Sequence, residues 1–470
     1  MKKINILFFL LLPFVDVITA LSTRLIDLPV SLGIIIKGLY ILVLSIYVVF
    51  YSKSKYKKMY LWYIGSIILF TLLYFVTKLD LLNSTYLFTE VTYLFKALYA
   101  SILFFGLLVI YDDSKFDSRS VNRLMIYSLF VYCLLLIIPT ITGTNFNGYE
   151  HTENNNGSIG WFYAGNDVSA IMLMLYPFIY TFFNKKIDSN NRKTYLYYLL
   201  LVLVVASVFV LGTKTGWLGL ILITLALFLI ELRSREKSIN FIPMLVLTVL
   251  LIPLTFITPA VSNTNNSIEE IRQNDKDNKI SIKNDDKVIA MVTDKKEEVV
   301  TSNNTYTRKQ VPDTCKTRKV SEFIHNKTLY RIINVTLSGR QNKAYTGFLM
   351  YEKAPVFDKF FGIGYSNTER INDCNVAKYI EMDIIDIFIH YGIIGLIIVF
   401  FPFGYVVKVL IDNKKNIGKD TIKYISIGII MLLISLAAGH VIGYPSSGIY
   451  LTIYLLLLLI SVKEKDKLSD

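Results

Sequence analysis

The stretch EMDIIDIFIHYGIIGLIIVFFPFGYVV, from Glu381 to Val407, decides how the chain is read. From 382 to 407 it is long and apolar enough to span a bilayer, which takes about 20 residues as a helix. Its first part nevertheless holds Glu381, Asp383, Asp386 and His390. The last three recur at i, i+3 and i+7, a spacing that puts side chains on one helical face. Charge facing hydrocarbon is expensive, so such a set points into a helix bundle or a hydrated cavity. Acidic residues are also expected as caps at a helix N-terminus. Capping accounts for Glu381 and Asp383, poorly for Asp386 and not at all for His390. A carboxylate held at this apolar boundary is expected to have a raised pKa and to suit general-base work.

Working outward, eleven more stretches of similar character appear, at roughly 4–21, 32–51, 60–77, 92–111, 124–141, 165–183, 195–212, 215–231, 240–257, 424–440 and 446–462. With 53% hydrophobic residues, the chain reads as an all-α polytopic membrane protein of about twelve transmembrane helices. Short cytoplasmic loops retain Lys and Arg. An inside N-terminus puts twenty-four Lys and Arg in the inner segments, against three (Arg24, Lys78 and Lys214) in the short outer loops. Both termini are therefore expected in the cytoplasm and the long polar segment outside. The expected organisation is helices 1–9 over 1–257, an extracellular loop over 258–380, and helices 10–12 with a cytoplasmic tail over 381–470. With this topology Asp16, Lys37, Lys96, Asp167, Lys214, Glu381, Asp383, Asp386 and His390 all fall in the outer half, and the inner halves are expected to carry no charge. A one-sided set implies a polar cavity open to one face.

The net charge of +13 comes mostly from inner loops, where anionic lipid is the natural partner and nucleic acid is not. The first segment follows Met-Lys-Lys but lacks a small-residue cleavage site and contains Asp16, so it reads as a retained helix. Cys133 lies in a helix, whereas Cys315 and Cys374 lie in the outer loop, where a disulfide is open to either answer. The histidines, His151, His325, His390 and His440, are scattered, and no Cys or His spacing looks like a metal site.

The outer loop changes character midway. Residues 258–320 are dense in Asn, Asp, Lys and Ser, a composition expected to stay mobile. In 321–380, Phe323, Ile324, Leu329, Ile332, Ile333, Tyr345, Phe348, Leu349 and Tyr351 return at near-helical spacing, ahead of Gly362-Ile363-Gly364. This predicts two short amphipathic helices and a glycine turn, forming a helical cap. A second loop, 142–164, ends in Trp161, Phe162 and Tyr163, read either as an interfacial belt or as a platform for sugar rings.

Several other residues are candidates. Lys214, in Gly-Thr-Lys-Thr-Gly (212–216), stands at the start of a helix, where backbone N–H groups and the dipole favour phosphate; the alternative is a snorkelling interfacial lysine. Arg340, ending Ser338-Gly339-Arg340, offers a rigid donor fork suited to diphosphate, or is simply solvated. Asn166 and Asp167 open a helix and are expected as caps or site residues. Asp16 with Lys37 or Lys96 suggests a buried structural pair, and His440 is a ligand-facing donor or an interfacial residue.

The arrangement resembles the O-antigen ligase and polymerase superfamily, membrane glycosyltransferases of GT-C-like architecture that act on polyprenyl-diphosphate-linked glycans. The ligase branch ends its long loop with His, then Asn, Ser or Gln, nine residues, Gly, two residues, and Gly, Thr or Tyr. Gly392 and Gly395 fit the last two positions; Glu381 stands where His would be, and Met382 also departs. Ser338 to Arg340, Gly362 to Gly364, Lys214, Phe14-Val15-Asp16 and Gly439-His440 are similar to features of the family, the last two in its Gram-positive branch. The departure at 381 favours a polymerase of a capsular, exopolysaccharide or teichuronic-type polymer.

The resemblance implies an enzyme at the outer leaflet of the cytoplasmic membrane. Lys214 and Arg340 would bind the diphosphate, and Glu381, or Asp383 if Glu381 only caps, would take a proton from the acceptor hydroxyl, with inversion. Asp167, Asp386, His390 and His440 would support them. No metal or cofactor is expected, since fixed cations take that role. The expected partners are a polyprenyl-diphosphate-linked glycan, membrane lipid and other polysaccharide-assembly proteins. The main rival is a lipid-linked oligosaccharide flippase, although transporters usually place polar sites near the midplane.

Overall fold

The computed structural model describes all residues except 27, 29, 79–83, 115–117, 149–155, 183–191, 234–240, 267, 270–319, 321–323, 325, 366–379 and 467–470. His151, His325, Phe323, Cys315 and Cys374, and nearly all of the segment expected to be mobile, lie outside the described residues. Helices α1 (Lys2–Arg24), α2 (Leu32–Phe50), α3 (Lys57–Val76), α4 (Ser84–Ser114) and α5 (Ser118–Thr142) come first. They are followed by α6 (Gly165–Leu175), α7 (Phe178–Phe182), α8 (Arg192–Leu211), α9 (Lys214–Arg233) and α10 (Phe241–Thr255). The long loop contributes α11 (Lys327–Leu337), α12 (Arg340–Lys353) and α13 (Val356–Phe361), and the chain closes with α14 (Asp383–Asp412), α15 (Lys419–Ala438) and α16 (Pro445–Asp466). Among the described residues there is no strand, only an isolated bridge between Asn147 and Ser158.

Among the described residues, ten helices (α1–α5, α9, α10 and α14–α16) are long and apolar enough to cross a membrane. The other two expected spans fall on α8 and on the α6–α7 pair. α8, Arg192–Leu211, follows the expected 195–212 stretch, with an apolar run over Tyr195–Leu211. The 165–183 stretch is divided by Pro177 between α6 and α7, since proline lacks an N–H and its ring clashes with the carbonyl four residues back.

α16 is the central helix, apolar around its circumference and packed against α4, α6, α14 and α15. A helix hydrophobic on all sides belongs in a core. By contrast α2, α3 and α10 expose Leu39, Trp62, Leu72, Ile242 and Ile252 on the periphery, the broad apolar surface that lipid covers.

Two buried polar clusters pin the bundle. Lys37 of α2 meets Asp16 of α1 and Ser446 of α16, each at 2.6 Å, while the Tyr132 hydroxyl donates to the second Asp16 oxygen. Asp16 thus pairs with Lys37, and Lys96 stays apart. At the end of α9 remote from Lys214, the fully buried Glu231 is held by Lys419 at 2.7 Å and Lys423 at 3.8 Å. This corrects the expectation of charge confined to the half nearest the long loop. Glu231 is buried there because two α15 cations offset its desolvation.

α14 breaks at Gly392 (φ 66°, ψ −169°). The break receives the glycine turn of the loop. Ile363 and Gly364 donate backbone N–H groups to the carbonyls of Ile389 (3.0 Å) and His390 (3.1 Å). A Cβ on Gly362 would stand 2.1 Å from the His390 carbonyl oxygen, and one on Gly392 2.4 Å from that of Phe360, so only glycine permits this approach. Lys78, at the end of α3, fixes the same loop region by an ion pair with Asp358 of α13 at 2.5 Å. Ala344, Ile363, Ile380, Met382 and Ile389 form a small core between α12 and α14.

Candidate functional site

α11 ends on two successive left-handed residues, Ser338 (φ 52°) and Gly339 (φ 80°), a stop that starts α12 at Arg340. The guanidinium turns back so that Nε and Nη2 each lie 3.1 Å from one Glu381 oxygen, with Nη1 3.4 Å from the Leu337 carbonyl. One turn further, Lys343 reaches the other Glu381 oxygen at 3.2 Å. Lys214, the first residue of α9, donates to the Val335 carbonyl at 3.2 Å and feels the Arg340 charge. Three cations therefore gather around Glu381 and the carbonyl end of α11, where the helix dipole favours positive charge.

Glu381 itself is strained, with φ at 57° just before α14. A non-glycine residue in this region costs about 1–3 kcal/mol, and such strain concentrates at functional positions. Its backbone fits against Gly439, where a Cβ would lie 2.7 Å from the Glu381 carbonyl oxygen. Glu381 is not the carboxylate whose pKa the apolar boundary raises. Burial does push the carboxyl up, but Arg340, Lys343 and His440 outweigh it and hold Glu381 below its ordinary range.

Asp383, two residues on, has a different environment. Its carboxylate accepts from Ser435 Oγ (2.9 Å) and from the backbone N–H groups of His440 (3.0 Å), Val441 (2.8 Å) and Ile442 (2.7 Å). It fills a nest of amides at the break between α15 and α16 rather than capping its own helix.

His440 follows Gly439 in that break, both left-handed at φ 63° and 66°. Its Nδ1 lies 2.5 Å from an Asp167 oxygen, and its ring stacks on Tyr444 with centroids 4.3 Å apart. Burial pulls the imidazole pKa down, but Asp167 outweighs it, so His440 titrates above its usual value. Asp167 is thus tied to His440, and the residue at the α6 N-cap is Ala164.

The expected common face of α14 is divided. Asp383 turns to the α15–α16 break, while Asp386 meets His390 at 3.3 Å. The Tyr365 hydroxyl donates to Asp386, and its ring stacks on His390 at 3.8 Å. This second cluster lies beneath the glycine turn.

The structure therefore brings Lys214, Arg340, Glu381, His440 and Asp167 into one neighbourhood, with Asp383 bound into its floor. Sequence reading placed Tyr444 beside His440 in the same turn, without a role, and missed Lys343 and Tyr365 as site residues. Lys343 had a signal, standing three residues after Arg340 on one helix, whereas Tyr365 had none. A cavity of about 430 Å³ opens on Asp167 and Tyr444 but is not lined by Lys214, Arg340 or Glu381. Phe162 and Tyr163 line it; Trp161 instead donates its indole N–H to Thr144. A family model described as "O-antigen ligase like membrane protein" matches residues 1–465. No curated protein sequence matches the chain.

Proposed function

The chain belongs to the O-antigen ligase-like membrane protein family, and from that premise we propose that it polymerises or ligates polyprenyl-diphosphate-linked glycan at the outer face of the cytoplasmic membrane. Both termini are then cytoplasmic, as the basic residues favour. The observation that carries the reading is the convergence of Arg340 and Lys343 on a strained, ionised Glu381, with Lys214 beside Arg340 at the carbonyl end of α11.

In this reading a lipid diphosphate competes for Arg340 and Lys343, since it brings more negative charge than one carboxylate. The acceptor hydroxyl attacks the anomeric carbon, the bond from that carbon to the diphosphate oxygen breaks, and polyprenyl diphosphate leaves. Lys214, Arg340 and Lys343 stabilise the charge that grows on the leaving oxygen. Glu381, released from its cations, gains proton affinity and accepts the hydroxyl proton, so the anomeric centre inverts. Asp383 holds the α15–α16 break that carries His440. The departure from His at 381 favours polymer growth over transfer to a different acceptor.

The test uses purified full-length protein with undecaprenyl-diphosphate-linked repeat units. Release of undecaprenyl diphosphate and longer glycan are expected, and Lys214→Ala, Arg340→Ala and Glu381→Gln should each abolish both while inserting normally. Movement of intact lipid-linked units between leaflets, without release, would overturn the reading in favour of a transporter.

A further inference from the structure

The cavity of about 430 Å³ beside Asp167 is lined by both polar and aromatic side chains. Thr19, Thr23 and Thr92 supply hydroxyls, and Phe162, Tyr163 and Tyr444 supply ring faces or edges. This mixture suits sugar rings, which present hydroxyls at their edges and C–H groups on their faces. Its charged lining consists of Asp16, Lys37, Lys96 and Asp167. Three of these are already matched: Asp16 with Lys37 at 2.6 Å, and Asp167 with His440 at 2.5 Å.

Lys96 is the exception. Among the described residues its ammonium has no ion pair or hydrogen bond, only the ring of Tyr93 at 4.8 Å from Nζ. It sits on α4 in a largely enclosed position, and Asp167 acts on it only at longer range. A largely enclosed cation on a cavity wall without an anionic partner is a costly arrangement that an incoming anion relieves. Placement matters too. The cavity reaches Asp167 and Tyr444, the two residues that hold His440, while His440 in turn acts on Glu381. A glycan in the cavity therefore lies beside the cation cluster without occupying it.

We infer that this cavity is the acceptor subsite and that Lys96 selects an acceptor glycan bearing an anionic substituent, a sugar carboxylate or a phosphate, near its reacting end. The inference rests on the transferase reading for the word acceptor, but binding itself is independent of transfer. Lys96 makes a charge-assisted hydrogen bond to the anion, the tyrosine and phenylalanine rings pack against the sugar, and the neighbouring Asp167–His440 pair bounds the subsite on the side of Glu381.

The experiment measures binding of three fluorescent disaccharides to the full-length protein in phosphatidylcholine nanodiscs: one ending in glucuronic acid, one in glucose 6-phosphate and one in glucose. One anionic form is expected to bind about tenfold or more tightly than the neutral one, the scale of a charged hydrogen bond; whichever does identifies the substituent. Lys96→Met should erase that margin, Lys96→Arg should keep it, and Lys214→Ala should leave it unchanged. Equal binding of all three sugars, binding of none, or an intact margin in Lys96→Met would overturn the inference. So would loss of the margin in phosphatidylglycerol nanodiscs, which would make lipid the occupant. Should Lys96→Met fail to fold, the wild-type comparison and Lys96→Arg still decide it. A protein that binds the anionic sugar yet transfers nothing sinks the enzyme reading alone.

Discussion

Two carboxylates, near opposite ends of the fold, are each held by two cations. Glu231 is wholly buried between Lys419 and Lys423, and Lys423 is itself 1% exposed. Glu381 lies between Arg340 and Lys343, but its side chain is 30% exposed and its backbone is left-handed. The same charges thus make a closed pin in one place and an open, strained cluster in the other. A closed pair maximises Coulomb energy and leaves no room for an exchange of partners. An accessible pair, with Lys214 close by, can trade a carboxylate for a larger anion.

The largest expected effect breaks the open member. Arg340→Ala removes the fork from the growing charge and should lower the transfer rate by about 10²–10³, the scale of losing one preorganised donor. The thermal midpoint in detergent should barely move, because Glu381 then gains water. A rate within twofold of wild type would put the reacting centre elsewhere.

Glu231→Ala tests the closed member in the opposite sense. Lys423 keeps only Asp420 at 3.3 Å, a carboxylate that is 61% exposed, so stability should drop by about 3 kcal/mol. Transfer per folded molecule should stay unchanged. If activity falls while the unfolding midpoint holds, the pin is more than structural.

How much of this contrast could be read from the chain follows from what each feature depends on. The helices were legible because a bilayer demands long apolar runs, and Gly362 and Gly364 were readable as a turn, whereas the close approach of that turn to a break at Gly392 was not. Lys214 and Glu381 were nameable since charges beside apolar runs are conspicuous, and Arg340 through the Ser-Gly-Arg that it ends. Helical periodicity, however, predicted a shared face for Asp383, Asp386 and His390. It could not foresee that amides of 440–442, distant in sequence, would claim Asp383. Glu231 was misjudged for the same reason, as its partners come from α15. At Glu381 burial was visible in the sequence, whereas the two α12 cations that hold its carboxyl down were not.

A smaller effect sharpens the open member. Arg340 and Lys343 hold the Glu381 carboxyl below its usual range, so Lys343→Met should raise it toward that range. If ionised Glu381 is the base, the acid limb of the kcat/KM profile then moves to higher pH, while the plateau falls by less than in Arg340→Ala because the guanidinium fork stays in place. By linkage, a depressed carboxyl contributes stability above its unfolded pKa and loses it as pH falls through the folded value. Lys343→Met should accordingly flatten the loss of stability in mild acid. An acid limb that does not move would assign the proton to another group.

The smallest expected effect concerns His440, whose imidazole is raised by Asp167 against the pull of burial. Asp167→Asn keeps the shape and a hydrogen bond but removes the charge, so burial should dominate and the His440 pKa should fall. For a group raised on folding, the stability it contributes is complete below the unfolded value of about 6.5 and fades as pH rises through the folded one. The variant should therefore lose stability chiefly on the acid side and show a shallower decline between neutral and mildly alkaline pH. If protonated His440 assists the donor cations, the alkaline limb of the transfer profile moves down in parallel. Stability and activity shifting together would tie His440 to Glu381 as one electrostatic unit, whereas a stability shift with an unmoved profile would make Asp167–His440 a wall of the cavity and nothing else.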